Sequence, residues 1–199
     1  KHQEYTARIP FSDFKVFDFI CQNVPKNSQL QVSNSSAIRY LQLFDLDKSI
    51  QVFCNRGTSG IDGSTSTAIG AASASDLPTI LITGDISFLY DSNALWNNYI
   101  PKNFKIILLN NSGGGIFRIL PGHQETETFN RYFETSHQLN ASHLAKMYGF
   151  DYFEANDEAT LQQQYKSFLN QNEKPSILEI FTPEKENNGI LLEFFRGLK

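Results

Sequence analysis

Two short apolar runs constrain this chain more than any other feature. Thr79-Ile-Leu-Ile-Thr83 and Lys105-Ile-Ile-Leu-Leu109 have strand length and are apolar at consecutive positions. A strand with one wet face alternates polar and apolar residues. An unbroken run instead fits a strand buried on both faces, as when helices cover both sides of a parallel sheet. The flanking segments carry the complementary pattern. Asp13 to Val24 sets Phe14, Phe17, Ile20 and Val24 near helical spacing behind Ser12 as N-cap. Ser64 to Ser75 reads as a small-residue helix and Asp157 to Leu169 as an amphipathic one. Further strands are expected at Leu30–Val32, Ile50–Cys54, Asp151–Glu154 and Ser176–Phe181. Further helices are expected at Ala37–Leu41, Phe88–Tyr99, Ser142–Tyr148 and from Glu184 onward. This alternation predicts an α/β fold: a doubly wound, mostly parallel sheet with helices on both faces.

The bounds agree with it. A domain takes ~100–200 residues, so a chain of 199 is one domain. With 40% hydrophobic and 19% charged residues it has a globular composition, not a disordered one. A formal charge of −4 argues against a nucleic-acid or anionic-membrane surface, which needs a clustered positive field. No apolar run approaches the ~20 residues that span a bilayer. The two cysteines, Cys21 and Cys54, lie among apolar neighbours and read as buried thiols of a cytoplasmic protein. The first residue is Lys1, and the expectation is a piece of something longer. Gly113 to Ser136 shows no regular pattern, and a loop of that length predicts a functional segment or lid. Trp96, Tyr99 and Phe104 are expected to cluster under the sheet, and Phe194-Phe195 to form a docking surface. The four histidines show no metal spacing.

Ligands bind open α/β sheets at the carboxyl ends of the strands. The two buried runs end there in Gly84-Asp85 and in Asn110-Asn111-Ser112-Gly113, with Asp85 and Asn111 26 positions apart. One strand–helix–strand unit takes roughly that length, which sets the two tips side by side. A carboxylate, an amide oxygen and a backbone carbonyl make an oxygen-only donor set, suited to Mg²⁺ shared with a phosphate. A helix starting after Ser87 would aim its N-terminus at the same spot.

Gly84-Asp85 followed by Asn110-Asn111 resembles the motif of the thiamine diphosphate superfamily, which reads Gly-Asp-Gly, a spacer in the mid-twenties, then Asn-Asn. Ile86 stands where the third glycine would be. Gly84-Asp-Ile-Ser-Phe-Leu-Tyr-Asp-Ser-Asn-Ala-Leu95 is similar to one branch, the MenD enzymes of menaquinone biosynthesis. So are Asn34-Ser-Ser-Ala-Ile-Arg39, Asn55-Arg-Gly-Thr-Ser-Gly-Ile-Asp-Gly63 and Gly113-Gly-Gly-Ile-Phe-Arg-Ile-Leu-Pro121.

The resemblance implies that residues 1–199 are the diphosphate-binding domain, a C-terminal fragment of a longer enzyme. It implies Asp85, the Asn111 side chain and the Gly113 carbonyl as ligands of Mg²⁺, with Mn²⁺ as a substitute. Gly84, Ile86 and Ser87 would line the diphosphate, Ile61 would lie beneath the cofactor, and Ile116 and Phe117 would wall the site. Ser35, Arg39 and Arg56 match positions that bind substrate carboxylates, a task the planar fork of arginine suits. The implied reaction decarboxylates 2-oxoglutarate and joins the remaining fragment to isochorismate. The activating glutamate would come from a pyrimidine-binding domain of a second subunit, so this chain alone is expected to be inactive, and the whole enzyme to be a homo-oligomer. Two other readings stand beside it: an acetolactate synthase-like enzyme on the same cofactor, and a non-catalytic phosphate-binding module.

Overall fold

The structure is a computed structural model that describes residues 2–120 and 122–198. Lys1 and Pro121, the last residue of the string that starts at Gly113, lie outside the described residues. The strands are β1 (Gln29–Val32), β2 (Gln51–Cys54), β3 (Thr79–Gly84), β4 (Lys105–Asn110), β5 (Asp151–Ala155) and β6 (Ser176–Phe181). They form one six-stranded sheet in the order β2-β1-β3-β4-β6-β5, and every pairing is parallel. The two consecutive apolar runs occupy its centre as β3 and β4, buried nearly throughout. Ile80, Ile82, Ile107 and Leu109 enter one core, and Leu81, Ile106 and Leu108 enter the other. Two cores explain why neither strand alternates.

The helices are α1 (His2–Arg8), α2 (Asp13–Asn23), α3 (Ser36–Leu41), α4 (Ser64–Ser73), α5 (Asp85–Tyr90), α6 (Ser142–Tyr148), α7 (Glu158–Asn170) and α8 (Asn187–Arg196). Side chains of α1, α2, α3, α7 and α8 pack in the first core and those of α4, α5 and α6 in the second. The small residues of α4 have the expected use: Ala68 and Ala72 let Ile69 reach the sheet. From β1 the chain adds β2 on one flank, then returns to place β3 on the other. The sheet therefore changes winding direction between β1 and β3, and a crevice opens there at the carboxyl ends.

Several expectations need correction. The helix read over 88–99 is α5, which starts at Asp85 and stops at Tyr90, followed by a 3₁₀ turn at Ser92–Trp96. Asp91 ends it: its carboxylate accepts from the Ser66 backbone N–H (2.7 Å) at the start of α4 instead of continuing the helix. Trp96 and Tyr99 are consequently exposed, and only Phe104 of that trio is buried. The helix α1 carries no strong signal, yet the Tyr5 hydroxyl donates to the Ile190 carbonyl (2.5 Å) and its ring packs on Phe14 and Phe194. Phe194 is thus core, and only Phe195 is exposed. The terminal helix begins at Asn187, not Glu184. Within the long loop, Gly115–Ile119 forms a 3₁₀ turn and Phe129–Glu134 a π-type turn. Cys21 is buried and Cys54 half-buried, both as free thiols.

Candidate functional site

A cleft of about 370 Å³ lies at the winding switch. That is within the size range of small-molecule sites. The β1 tip supplies Ser35, the loop after β2 supplies Ile61, and the β3 tip supplies Gly84 to Ser87. The β4 tip adds Asn111 and Gly113, and the following turn adds Ile116 and Phe117. Ten of the twelve residues singled out from sequence therefore share one cavity. Arg39 and Arg56 do not line it. Arg39 is exposed and its Nη1 donates to the Ser35 carbonyl (2.7 Å), while Arg56 Nη1 donates to Asn34 Oδ1 (3.3 Å).

The β3–β4 register, with Gly84 opposite Leu109, brings Asp85 beside the Asn110-Asn111 tip. Asp85 is buried. Its Oδ1 accepts from the Ile86 N–H (2.7 Å) and its Oδ2 from the Gly113 N–H (3.0 Å), so the carboxylate ties the two tips together. His137 Nε2 lies 3.3 Å from the same Oδ2. His137 Nδ1 accepts from the Leu139 N–H (3.1 Å), which leaves Nε2, the nitrogen nearer Asp85, to carry the proton of the neutral ring. The Asp85 carboxylate raises the His137 pKa above its ordinary value, against the opposing effect of burial. Among the described residues no Lys or Arg pairs with Asp85.

Asn111 Nδ2 donates to Asp13 Oδ2 (3.0 Å). The Gly113 carbonyl accepts from the Gly115 N–H (3.0 Å) and keeps a second lone pair. One carboxylate, one amide oxygen and one carbonyl thus belong to residues that line one cleft at the tips of two adjacent strands, the hard-oxygen chemistry that Mg²⁺ selects. The residues fit such an ion. The Ser87 hydroxyl, expected to face a diphosphate, donates to the Ile61 carbonyl (2.6 Å) and locks the glycine loop to α5.

Ile116, Phe117, Tyr132, Phe133 and Thr135 form the roof. Phe117 meets Phe133 edge-on at 5.8 Å between ring centroids, and Phe133 stacks on Phe129. The Gly114 N–H donates to the Glu134 carbonyl (2.6 Å). Arg118, which has no assigned role in the sequence reading, is buried between Glu134 and Glu125 and pairs with both. Backbone strain gathers here as well. Ser35 (φ 70°), Ser59 (φ 60°) and Thr135 (φ 55°) line the cleft with left-handed backbone, and Ser112 (φ 64°) sits between two lining residues. Non-glycine residues hold such angles at a cost and concentrate at functional sites.

Sequence reasoning misses three residues. Asn34 is quoted within a motif but given no task; its Nδ2 donates to the Asn55 (2.5 Å) and Gly60 (2.6 Å) carbonyls and pins the glycine loop. His137 has no spacing partner, because its neighbour Asp85 is distant in sequence. Asp13 reads as an ordinary first-turn acid of α2, yet it lines the cleft. Burial pushes its carboxyl up to about 6, offset by hydrogen bonds from Thr182 and Asn111.

Comparison with known proteins gives the family and relatives of the chain. The family model described as the thiamine pyrophosphate enzyme, C-terminal TPP binding domain, matches residues 34–180. The chain is 66% identical over 198 residues to the 2-succinyl-5-enolpyruvyl-6-hydroxy-3-cyclohexene-1-carboxylate synthase of Flavobacterium johnsoniae, and 69% identical over 198 residues to that of Flavobacterium psychrophilum. Each match covers 100% of this chain and 36% of the relative. The enzyme of the same name from Bacteroides fragilis is 42% identical over 193 residues, covering 96% of this chain and 35% of the relative. The chain therefore spans about a third of the length of these curated relatives.

Proposed function

The chain belongs to the thiamine pyrophosphate enzyme family as a C-terminal TPP-binding domain, and from that membership we propose that its cleft holds Mg²⁺ and thiamine diphosphate for 2-succinyl-5-enolpyruvyl-6-hydroxy-3-cyclohexene-1-carboxylate synthesis. The observation that carries the reading is the oxygen-donor set of Asp85, Asn111 and Gly113, opening into the one cleft that also contains Ile61 and Phe117. Asp85, Asn111 Oδ1 and the Gly113 carbonyl hold the cation. Gly84, Ile86 and Ser87 line the diphosphate, Ser87 through its backbone because its hydroxyl proton is committed to Ile61. Ile61 supports the cofactor from below, and Ile116 and Phe117 exclude water beside it. When bound, the cofactor supplies an electron sink for decarboxylating a 2-oxo acid.

The substrates in this reading are 2-oxoglutarate and isochorismate, as the motif resemblance implies. Ser35, Arg39 and Arg56 take their carboxylates; both arginines are exposed residues near the cleft-lining β1 and glycine loops, and an anion would replace their contacts with the Ser35 carbonyl and Asn34 Oδ1. The domain acts as one part of a cytoplasmic homo-oligomer, in keeping with its two free thiols. A second subunit completes the site against the exposed Tyr132 and Phe133. On its own the domain makes no product.

Calorimetry on the full-length protein tests this. Thiamine diphosphate should bind in the presence of Mg²⁺ and lose most of its affinity in D85A. Binding that is independent of Mg²⁺, or unchanged in D85A, overturns the reading.

A further inference from the structure

We infer that Asp13 is a positioning residue for the cation site: its carboxylate decides which end of the Asn111 amide is left for the metal. The inference rests on the cofactor reading above and deepens it.

Asp13 opens α2, far in sequence from the motifs, and is 2% exposed. Its Oδ2 accepts from Asn111 Nδ2 at 3.0 Å. An amide side chain has a donating and an accepting end, whereas an ionised carboxylate only accepts. The end that meets Asp13 is therefore the NH₂. Oδ1 is left as the uncommitted end of a side chain that lines the cleft. With the amide reversed, two N–H donors would face a cation, and the site would repel the ion it needs.

Asp13 is itself held from other directions. Its Oδ1 accepts from the Thr182 hydroxyl at 2.6 Å. Its backbone N–H donates to Asn187 Oδ1 at 2.8 Å, and Asn187 Nδ2 donates to the Pro183 carbonyl at 2.8 Å. The carboxylate thus stands on the joint between α2, α8 and the end of β6, so the Asn111 rotamer is set by packed elements. Groups that orient a ligand from behind are commonly worth 10–100-fold in metal affinity.

The test is Mn²⁺ binding to the full-length protein with saturating thiamine diphosphate, followed by the loss of the free-ion electron paramagnetic resonance signal. D13L is expected to weaken Mn²⁺ binding by about 10–100-fold. D13N keeps an acceptor oxygen for Asn111 and should stay within about threefold of wild type. D13L/N111A should bind no more weakly than N111A alone, because Asp13 acts only through Asn111. Should D13L fail to fold, N111D answers the same question. It sets two carboxylates face to face, and adding D13N restores a donor–acceptor pair and tightens binding. If D13L binds like wild type, or D13N fails to tighten N111D, the inference falls and the cofactor reading stands. If wild type itself takes up no Mn²⁺ with the cofactor, both fall.

Discussion

Arg118 grips Glu134 through both carboxylate oxygens, Nε to Oε1 and Nη2 to Oε2, with the two side chains 4% and 1% exposed. The backbone carbonyl of the same Glu134 accepts from the Gly114 N–H. One residue therefore braces the turn Gly115–Ile119 through its side chain and holds Gly114 through its backbone. Removing one member of a buried pair strands the other charge and costs ~3–5 kcal/mol, whereas replacing both with apolar groups is near neutral. R118A is thus expected to unfold at lower urea than wild type and R118M/E134L to recover most of the loss. Protease cleavage within 115–136 should rise only in R118A.

Gly113 meets the same segment from below. Its φ is +156°, and a Cβ there would lie 2.8 Å from the Glu134 carbonyl oxygen. A backbone atom cannot step aside cheaply, so G113A should cost ~1–3 kcal/mol. It should also shift the N–H that Asp85 accepts and so weaken Mg²⁺-dependent cofactor binding. Gly57 is the control, since nothing lies within 4 Å of a Cβ there. G57A should match wild type in both urea unfolding and calorimetry.

These two sites mark where the sequence is legible and where it is not. The central strands could be read because a parallel sheet buried on both faces requires unbroken apolar runs, and β3 and β4 have them. Asp85 and Asn111 could be read because adjacent strand tips impose a fixed spacing. The helix over 88–99 could not be delimited, since Asp91 leaves it to cap α4, a contact across 25 positions. Arg118–Glu134 and Asp13–Asn111 were hidden for a related reason. Each is a polar pair made by tertiary approach, and residue type alone does not separate a buried partner from a solvated one.

Lys105 gives a pH dependence. It is buried at the start of β4, where Nζ donates to the Gln171 carbonyl and to Ser176 Oγ (3.0 Å). Desolvation lowers its pKa from 10.5 to about 8. Between those values the unfolded chain holds a proton that the folded chain has released, so stability rises with pH there; below about pH 8 both states are protonated and the penalty is constant. The urea midpoint of wild type relative to K105M should therefore climb from pH 8 toward 10.5. The gain is on the order of 1–3 kcal/mol. The comparison is needed because burial raises the pKa of Tyr152 and Tyr165, which lowers the stability of both proteins at the alkaline end. Parallel profiles for the two proteins would exclude Lys105 as the source.

Asn34 should govern the glycine loop chiefly by donation to its backbone. Its NH₂ reaches two loop carbonyls, while Oδ1 receives Arg56 Nη1 and the Cys54 thiol. N34D keeps the shape and that oxygen but turns an acceptor toward Asn55 and Gly60. Each stranded carbonyl costs ~1–3 kcal/mol. N34D should therefore be destabilised by roughly 2–4 kcal/mol, more than a volume argument allows for an isosteric change. Amide exchange over residues 55–63 should quicken in N34D ahead of global unfolding. Because Ser87 still holds Ile61 from the other side, exchange at Ile61 should rise least. Uniform acceleration across the loop would mean that Asn34 supports the β1 tip generally rather than this loop.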